Sequence, residues 1–111
     1  MENLSLNEYQ TQTRSTAIYP KKKLPIYPIL GLNGEAGELA EKLKKIIRDN
    51  DGQMTLEHRE AMVKELGDVL WYVSQLASDL DYDLETVARI NLSKLAKRKA
   101  EGKLQGSGDD R

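Results

Sequence analysis

Two stretches of this sequence decide its fold: GLNGEAGELAEKLKKIIR at residues 31–48 and AMVKELGDVLWYVSQLA at residues 61–77. In both, apolar residues recur at the three- and four-residue spacing of a helix that buries one stripe. The two stretches therefore predict long antiparallel helices that pack together through these stripes. The expected stripe residues are Leu32, Leu39, Leu43 and Ile46 in the first helix and Met62, Leu66, Val69, Val73, Ala77 and Leu80 in the second.

Two pairs of carboxylates flank the predicted stripes: Glu35 with Glu38, and Glu65 with Asp68. Residues three positions apart on a helix project to the same side, so each pair can hold one cation. If the stripes pack together, both pairs face one cavity, where their mutual repulsion favours a bound metal. Carboxylate oxygens suit Mg²⁺, with Mn²⁺ as an alternative. The competing interpretation is that the pairs only keep a helix surface hydrated.

Proline, glycine and capping residues divide the chain into four helices, which predicts an all-α antiparallel bundle in one domain, residues 1–111. Because a chain of this length has a modest core, we expect it to assemble as an oligomer. Residues 103–111 are expected to form a tail that is mobile without ligand. The expected helices are residues 5–17 with Ser5 or Asn7 as N-cap, residues 29–48, a third from Thr55 as N-cap to Leu80, and a fourth from Asp81 or Asp83 as N-cap, with Gly102 just after its end.

The composition excludes several classes of function. The 17 basic and 18 acidic residues nearly cancel, so no broad positive field is available to bind a nucleic-acid duplex. The sequence contains no cysteine, which excludes disulfides, thiolate catalysis and sulfur-ligated metals. Neither a signal peptide nor an apolar run of about 18 residues is present, so we expect no membrane span and a cytoplasmic location.

The predicted fourth helix carries an amide and two cations on one flank: Asn91, Lys94 and Arg98. Basic residues near a helix C-terminus also complement the helix dipole, which is the simpler interpretation of this flank. Beside an acidic metal cluster, however, such donors suit a polyphosphate that bridges metal and cations. The buried stripe of this helix is expected to contain Leu84, Ala88, Leu92 and Leu95.

Three motifs of the sequence resemble those of a known family. GLNGEAGELAEKLKK, KELGDVLWY and NLSKLAKRKAEGKLQGSGDDR are similar to motifs of the MazG-like nucleoside triphosphate pyrophosphohydrolases of the all-α NTP pyrophosphatase superfamily. The family signature E-x-x-E, a spacer and E-x-x-D falls on Glu35, Glu38, Glu65 and Asp68. The resemblance implies metal-dependent hydrolysis of a (d)NTP between the α and β phosphates, which yields (d)NMP and pyrophosphate. The expected role of this activity is control or house-cleaning of the nucleotide pool.

The resemblance also assigns roles to residues. The four signature carboxylates would hold the metal, and Glu38 would accept the proton of the attacking water. Asn91 and Lys94 would contact phosphate or sugar, with Arg98 as a further substrate contact. Lys45 is a weaker candidate for the phosphates, and Tyr72, on the acidic flank, is a candidate for the base or sugar. Gly34 stands where many members have another glutamate, which leaves the number of metal ions open, and neither base nor sugar specificity follows from the sequence.

The sequence excludes one alternative function and leaves another open. Ferritin-like di-iron bundles need two Glu-x-x-His motifs, whereas this chain has a single histidine, His58, which is expected at the surface. A non-catalytic dimeric helical regulator remains the alternative. Binding of Mg²⁺ distinguishes them, because a ligand of the folded state raises thermal stability. For the enzyme we expect a homodimer or homotetramer with a nucleoside triphosphate as its substrate.

Overall fold

A computed structural model describes residues 3–111, and in this range the chain is all-helical, as predicted. A short 3₁₀ turn, Arg14–Thr16, follows the first helix. None of the helices in the described range is long and apolar enough to cross a membrane. The four helices are α1, Leu6–Thr13; α2, Ile26–Asn50; α3, Leu56–Asp79; and α4, Leu84–Ala100.

Side-chain caps define where three of the helices begin. Ser5 caps α1 and Thr55 caps α3, each by accepting a hydrogen bond from a backbone N–H of the first turn. Asp83 caps α4 in the same way, so of the two alternatives at each helix Ser5 and Asp83 are the caps. After α4, Gly102 has a φ of 68°, the left-handed conformation expected of the residue that follows a helix end.

Helix α2 begins earlier than residue 29, where the sequence suggested its start. Pro28 lies in its first turn, and this helix starts at Ile26. Proline is tolerated there because the backbone N–H that it lacks would have no partner within the helix. The longer helix places Tyr27 and Gly31 beside α3.

The most extensive packing in the molecule joins α2 to α3, as the two apolar stripes predicted. The buried apolar residues are few, however, and several expected stripe residues are exposed in the single chain. This part of the prediction is wrong for one chain because no element of residues 3–111 covers those faces. Buried are Ala17, Tyr19, Ile46, Ala77 and Leu84; exposed, against expectation, are Leu43, Leu66, Leu80, Leu92 and Leu95.

Helix α1 is attached to α3 and α4 mainly through polar side chains. Gln10 is buried, and its amide donates to Ser78 Oγ and to the carbonyl of Tyr82, both at 3.0 Å. Its carbonyl oxygen accepts a bond of 2.7 Å from the backbone N–H of Leu84, the first residue of α4. A buried amide that makes three hydrogen bonds is well satisfied. One side chain therefore joins three helices.

Gly31 and Gly37 of α2 form a matched pair for a stability measurement. A Cβ at Gly31 would overlap the ring of Tyr72 on α3, whereas a Cβ at Gly37 meets no atom within 4 Å. We expect Gly31→Ala to lower the free energy of unfolding by about 1–3 kcal/mol through overpacking. Gly37→Ala should raise it by about 0.5–1 kcal/mol through helix propensity. Urea unfolding followed by circular dichroism measures both, and equal effects would contradict the close packing of Tyr72 on Gly31.

Candidate metal centre

Packing of α2 on α3 brings three carboxylates together. Glu35 of α2 and Glu65 and Asp68 of α3 each offer an oxygen within 4.8 Å of the other two. The i,i+3 spacing puts Glu65 and Asp68 on one side of α3, and the antiparallel packing brings Glu35 opposite them. We call these three residues the carboxylate cluster. Three of the four signature residues are thus neighbours in space.

The charges of the carboxylate cluster oppose one another. Contact with Glu65 is the main cause that raises the pKa of the Glu35 carboxyl, and burial and the charge of Asp68 raise it further. The Glu65 side chain is only 17 % exposed, and its Oε2 is buried without a hydrogen-bond partner among residues 3–111. A buried, unpaired carboxylate oxygen is costly. Three convergent carboxylates, one of which has an unsatisfied oxygen, fit the ligand preference of a hard divalent cation.

One protein cation reaches the carboxylate cluster. Lys42 Nζ lies 3.7 Å from Glu65 Oε1, within ion-pair range but too far for a strong hydrogen bond. It offsets one negative charge of the three. The sequence places Lys42 on the acidic flank of α2 but assigned it no role.

Glu38 lies one helical turn beyond Glu35 and is exposed. It is not among the carboxylates that share the 4.8 Å distance, although its charge contributes to the raised pKa of Glu35. The i,i+3 rule puts two residues on one side of a helix but does not set how far each side chain reaches toward the neighbouring helix. Its roles as metal ligand and as general base stay predictions.

An aromatic group adjoins the carboxylate cluster on one side. The Tyr72 ring lies over Gly31, and its centroid is 6.3 Å from that of Tyr27 and 5.0 Å from that of Trp71. Tyr27 in turn stacks on Tyr19 at 5.0 Å. Burial and the neighbouring Tyr27 raise the pKa of Tyr72, with smaller effects from Glu35 and Asp68. Tyr72 is therefore close to the acidic residues, as predicted.

Trp71 is half-buried, and its indole N–H donates to Thr16 Oγ1 at 2.9 Å.

Helix α1 contributes Tyr9, a residue to which the sequence assigned no functional role. Burial raises the pKa of the half-buried Tyr9 phenol, and the charge of Asp68 raises it further, which places this side chain near the cluster. Apolar residues recur only weakly at helical spacing in α1, so no local signal in the sequence indicates where Tyr9 lies.

A cavity of about 240 Å³ continues the α2–α3 groove on the opposite side of the cluster from Tyr72. Lys45, predicted as a phosphate contact, lines this cavity, as does Lys42. His58 lies in the first turn of α3, where it is half-buried, and its Nδ1 accepts a hydrogen bond from the backbone N–H of Thr55 in the cap of that helix. The cavity is lined by Lys42, Lys45, Ile46, Asp49, Asn50, His58 and Ala61.

Within one chain the basic flank of α4 pairs with the tail and not with the carboxylate cluster. Asn91 is exposed, Lys94 is half-buried and Arg98 is buried. Lys94 and Arg98 contact Asp109 of the tail, and among residues 3–111 no hydrogen bond or ion pair connects this flank to Glu35, Glu65 or Asp68. Helix α4 packs on α1 and α3. The sequence predicted which residues share the flank of α4 but not where that helix lies.

The raised pKa of Glu35 predicts how stability depends on pH in the presence of EDTA. A carboxyl whose pKa is higher in the folded state stabilises that state below its unfolded pKa, and this contribution is lost as pH rises through the folded pKa. Glu35→Gln should therefore be more stable than the wild type at pH 7, and the difference should shrink as pH falls through the raised pKa of Glu35. Thermal unfolding at several pH values measures this.

Glu60→Gln, an exposed change on α3, is the control and should show no such trend. Added Mg²⁺ should make the wild type more stable than Glu35→Gln, because the variant lacks one of the carboxylates proposed to bind the ion. A Glu35→Gln protein that is less stable than the wild type at pH 7 in EDTA would contradict the repulsion described here.

Comparison with known proteins agrees with this arrangement. The family model of the MazG nucleotide pyrophosphohydrolase domain matches residues 28–102, a range that contains the carboxylate cluster and all of α4. The chain is also 51 % identical over 109 residues to the Gene 37 protein of Mycobacterium phage L5, with 93 % of this chain and 96 % of that protein covered. No solved structure matches the chain. The length of the family match and this degree of identity show that the chain belongs to the MazG nucleotide pyrophosphohydrolase family.

Proposed function

We propose that this protein hydrolyses a nucleoside triphosphate between its α and β phosphates and releases a nucleoside monophosphate and pyrophosphate. The observation that carries the proposal is the carboxylate cluster, in which three oxygens converge within 4.8 Å. Membership of the MazG family supports the same class of reaction. Nucleotide-pool control in the cytoplasm is the role that we infer for it.

Glu35, Glu65 and Asp68 would hold a divalent cation, Mg²⁺ or alternatively Mn²⁺. When bound, that cation supplies charge neutralisation for the phosphates and lowers the pKa of a bound water. The protein contributes rigidity to this step, since all three ligands lie on long helices rather than on loops. Lys42, which is 3.7 Å from Glu65, limits the net charge of the cluster.

Glu38 is the proposed general base. It stands one turn along α2 from the cluster and is exposed, so its carboxylate is not needed to bring the other three together and can face an attacking water. Its role as a fourth ligand is the other possibility for the same position. Either role requires the negative charge at residue 38.

The groove between α2 and α3 suggests how the substrate lies. Aromatic rings stack on nucleobases, and Tyr27 and Tyr72 lie at one side of the cluster, where we place the base or the sugar. Tyr9 of α1, whose phenol is affected by the charge of Asp68, would offer a hydroxyl to the sugar. The phosphates would then extend toward Lys45 and the cavity that it lines.

We further propose that the enzyme is a homo-oligomer, either a dimer or a tetramer. Helix α3 exposes apolar residues at heptad spacing, Leu56, Val63, Leu66 and Leu70, and Ile47 of α2 is 62 % exposed. Such a seam packs against another helix in water. Because the flank of α4 does not contact the cluster of its own chain, we place Asn91, Lys94 and Arg98 at the phosphates bound by a second copy.

Nucleotide assays with Mg²⁺ and separation of the products test the proposed reaction. We expect pyrophosphate and a nucleoside monophosphate, and Asp68→Asn or Glu38→Gln should lower kcat/KM by at least about 100-fold. Both variants should unfold in EDTA at the wild-type temperature or above it, because repulsion has been removed. Glu60→Gln is the control and should keep wild-type activity. Release of orthophosphate, or full activity of Asp68→Asn, would contradict the proposal.

Combining two impaired variants in one dimer tests whether sites are shared between copies. Lys94→Ala should slow hydrolysis, and a dimer that pairs it with Asp68→Asn contains one site with neither change. Co-expressed at equal amounts, the two variants should recover roughly a quarter of wild-type activity, since half of randomly paired dimers are mixed and each has one intact site. A mixture no more active than the separate variants, or a stable monomer by sedimentation at micromolar concentration, would exclude the shared site.

A further inference from the structure

A second cavity, of about 390 Å³, lies between α4 and the end of the chain. Four cationic side chains line it against two carboxylates, so the cavity favours an anion of more than one charge. None of these groups belongs to the carboxylate cluster. The lining residues are Ser93, Lys94, Lys97, Arg98, Asp109, Asp110 and Arg111.

Arg98 is the buried part of this cavity, at 5 % exposure. Its Nη2 donates to the carbonyl of Asp109 at 2.7 Å and to the carbonyl of Gly108 at 3.3 Å. Its Nε is buried and has no hydrogen-bond partner in the described part of the chain. Burial of a guanidinium with one donor unpaired is energetically unfavourable, and a contact that only held the tail would not require it.

Asp109 occupies the position that an oxyanion of a ligand would take. Its Oδ1 lies 2.9 Å from Lys94 Nζ and 3.4 Å from Arg98 Nη2, so one oxygen lies between two cations. The Lys94 ammonium, followed by Arg98, holds the pKa of Asp109 below its usual range. The carboxylate is 83 % exposed, and water can therefore replace it at Lys94 with little loss.

The segment that carries Asp109 keeps its shape through its own contacts. Arg111 donates to the carbonyls of Lys103 and Leu104 at 3.1 and 3.0 Å, and also to that of Gly108. Gly106 and Gly108 have positive φ values of 124° and 86°, which other residues rarely adopt. The carboxylate can leave Lys94 while the backbone remains attached to Arg98, so the expected mobility of this tail is not needed for an anion to enter.

We propose that the cavity between α4 and residues 108–111 binds a polyphosphate, and that the Asp109 carboxylate is an internal competitor which a phosphate oxygen displaces from Lys94. The class of ligand rests on the proposed function, whereas the competition rests on the contacts of Asp109. An internal carboxylate favours ligands with several negative charges, because a monophosphate replaces it with less gain. This selects a triphosphate over the product monophosphate.

Calorimetric titration of the full chain with inorganic tripolyphosphate in EDTA tests the competition without the carboxylate cluster, which needs a metal to bind phosphate. Asp109→Asn keeps the backbone contact to Arg98 and removes the charge beside Lys94. We expect it to bind tripolyphosphate about two- to fivefold more tightly than the wild type, as for loss of a largely exposed ion pair. The gain with orthophosphate should be smaller.

Two further variants make the result specific. In a Lys94→Ala background the additional change Asp109→Asn should produce a gain no larger than that of Asp110→Asn in the wild type, because the lysine for which the two anions compete is absent. Asp110→Asn removes an equal charge from the cavity wall without an ion pair in the described residues and should produce a smaller gain. Unchanged or weaker binding by Asp109→Asn, an equal gain by Asp110→Asn, or no binding by any variant would each overturn the proposal. None of these results depends on whether the chain hydrolyses nucleotides.

Discussion

Glu35, Glu65 and Asp68 repel one another where α2 packs on α3. Packing between the same two helices holds the three carboxylates together. On one side Tyr72 packs over Gly31 so closely that a methyl group would not fit. These contacts must supply free energy to offset the repulsion, because a single lysine at 3.7 Å neutralises only part of it. For a cation bound at this cluster, as we propose, part of the binding free energy would be relief of this repulsion.

The remaining helices pack on the hairpin formed by α2 and α3 through different kinds of contact. Helix α1 is attached by a buried amide, Gln10, that bonds to α3, to the connecting loop and to the start of α4. Hydrogen bonds fix direction more strictly than apolar contacts, and they position Tyr9 near Asp68. Helix α4, by contrast, leaves Leu92 and Leu95 exposed, and its cations pair with the tail instead of the cluster. The contacts between α2 and α3 thus lie within one chain, whereas the outer surface of α3 and α4 leaves apolar side chains exposed.

The sequence predicted well what depends on local spacing. The four helices, the caps at Ser5, Thr55 and Asp83, and the meeting of Glu35 with the acidic pair of α3 follow from periodicity and capping chemistry. It predicted poorly what depends on how far a side chain reaches or on which element covers a face. Glu38 is in the right register yet does not join the other three carboxylates.

Contacts between segments far apart in the sequence were also missed. Burial of Leu66 was expected because a helical stripe indicates only that a face is apolar, not which chain covers it. The pairing of Lys94 with Asp109 depends on a turn built from glycines at positive φ, which no helical pattern describes. The nucleotide chemistry came from resemblance of motifs, and the structure supports it through the geometry of three carboxylates. The most direct test is a crystal structure with Mn²⁺ and a non-hydrolysable nucleoside triphosphate. We predict an anomalous peak coordinated by Glu35, Glu65 and Asp68 and by the phosphates, and a nucleotide bound with no metal at these residues would contradict this assignment.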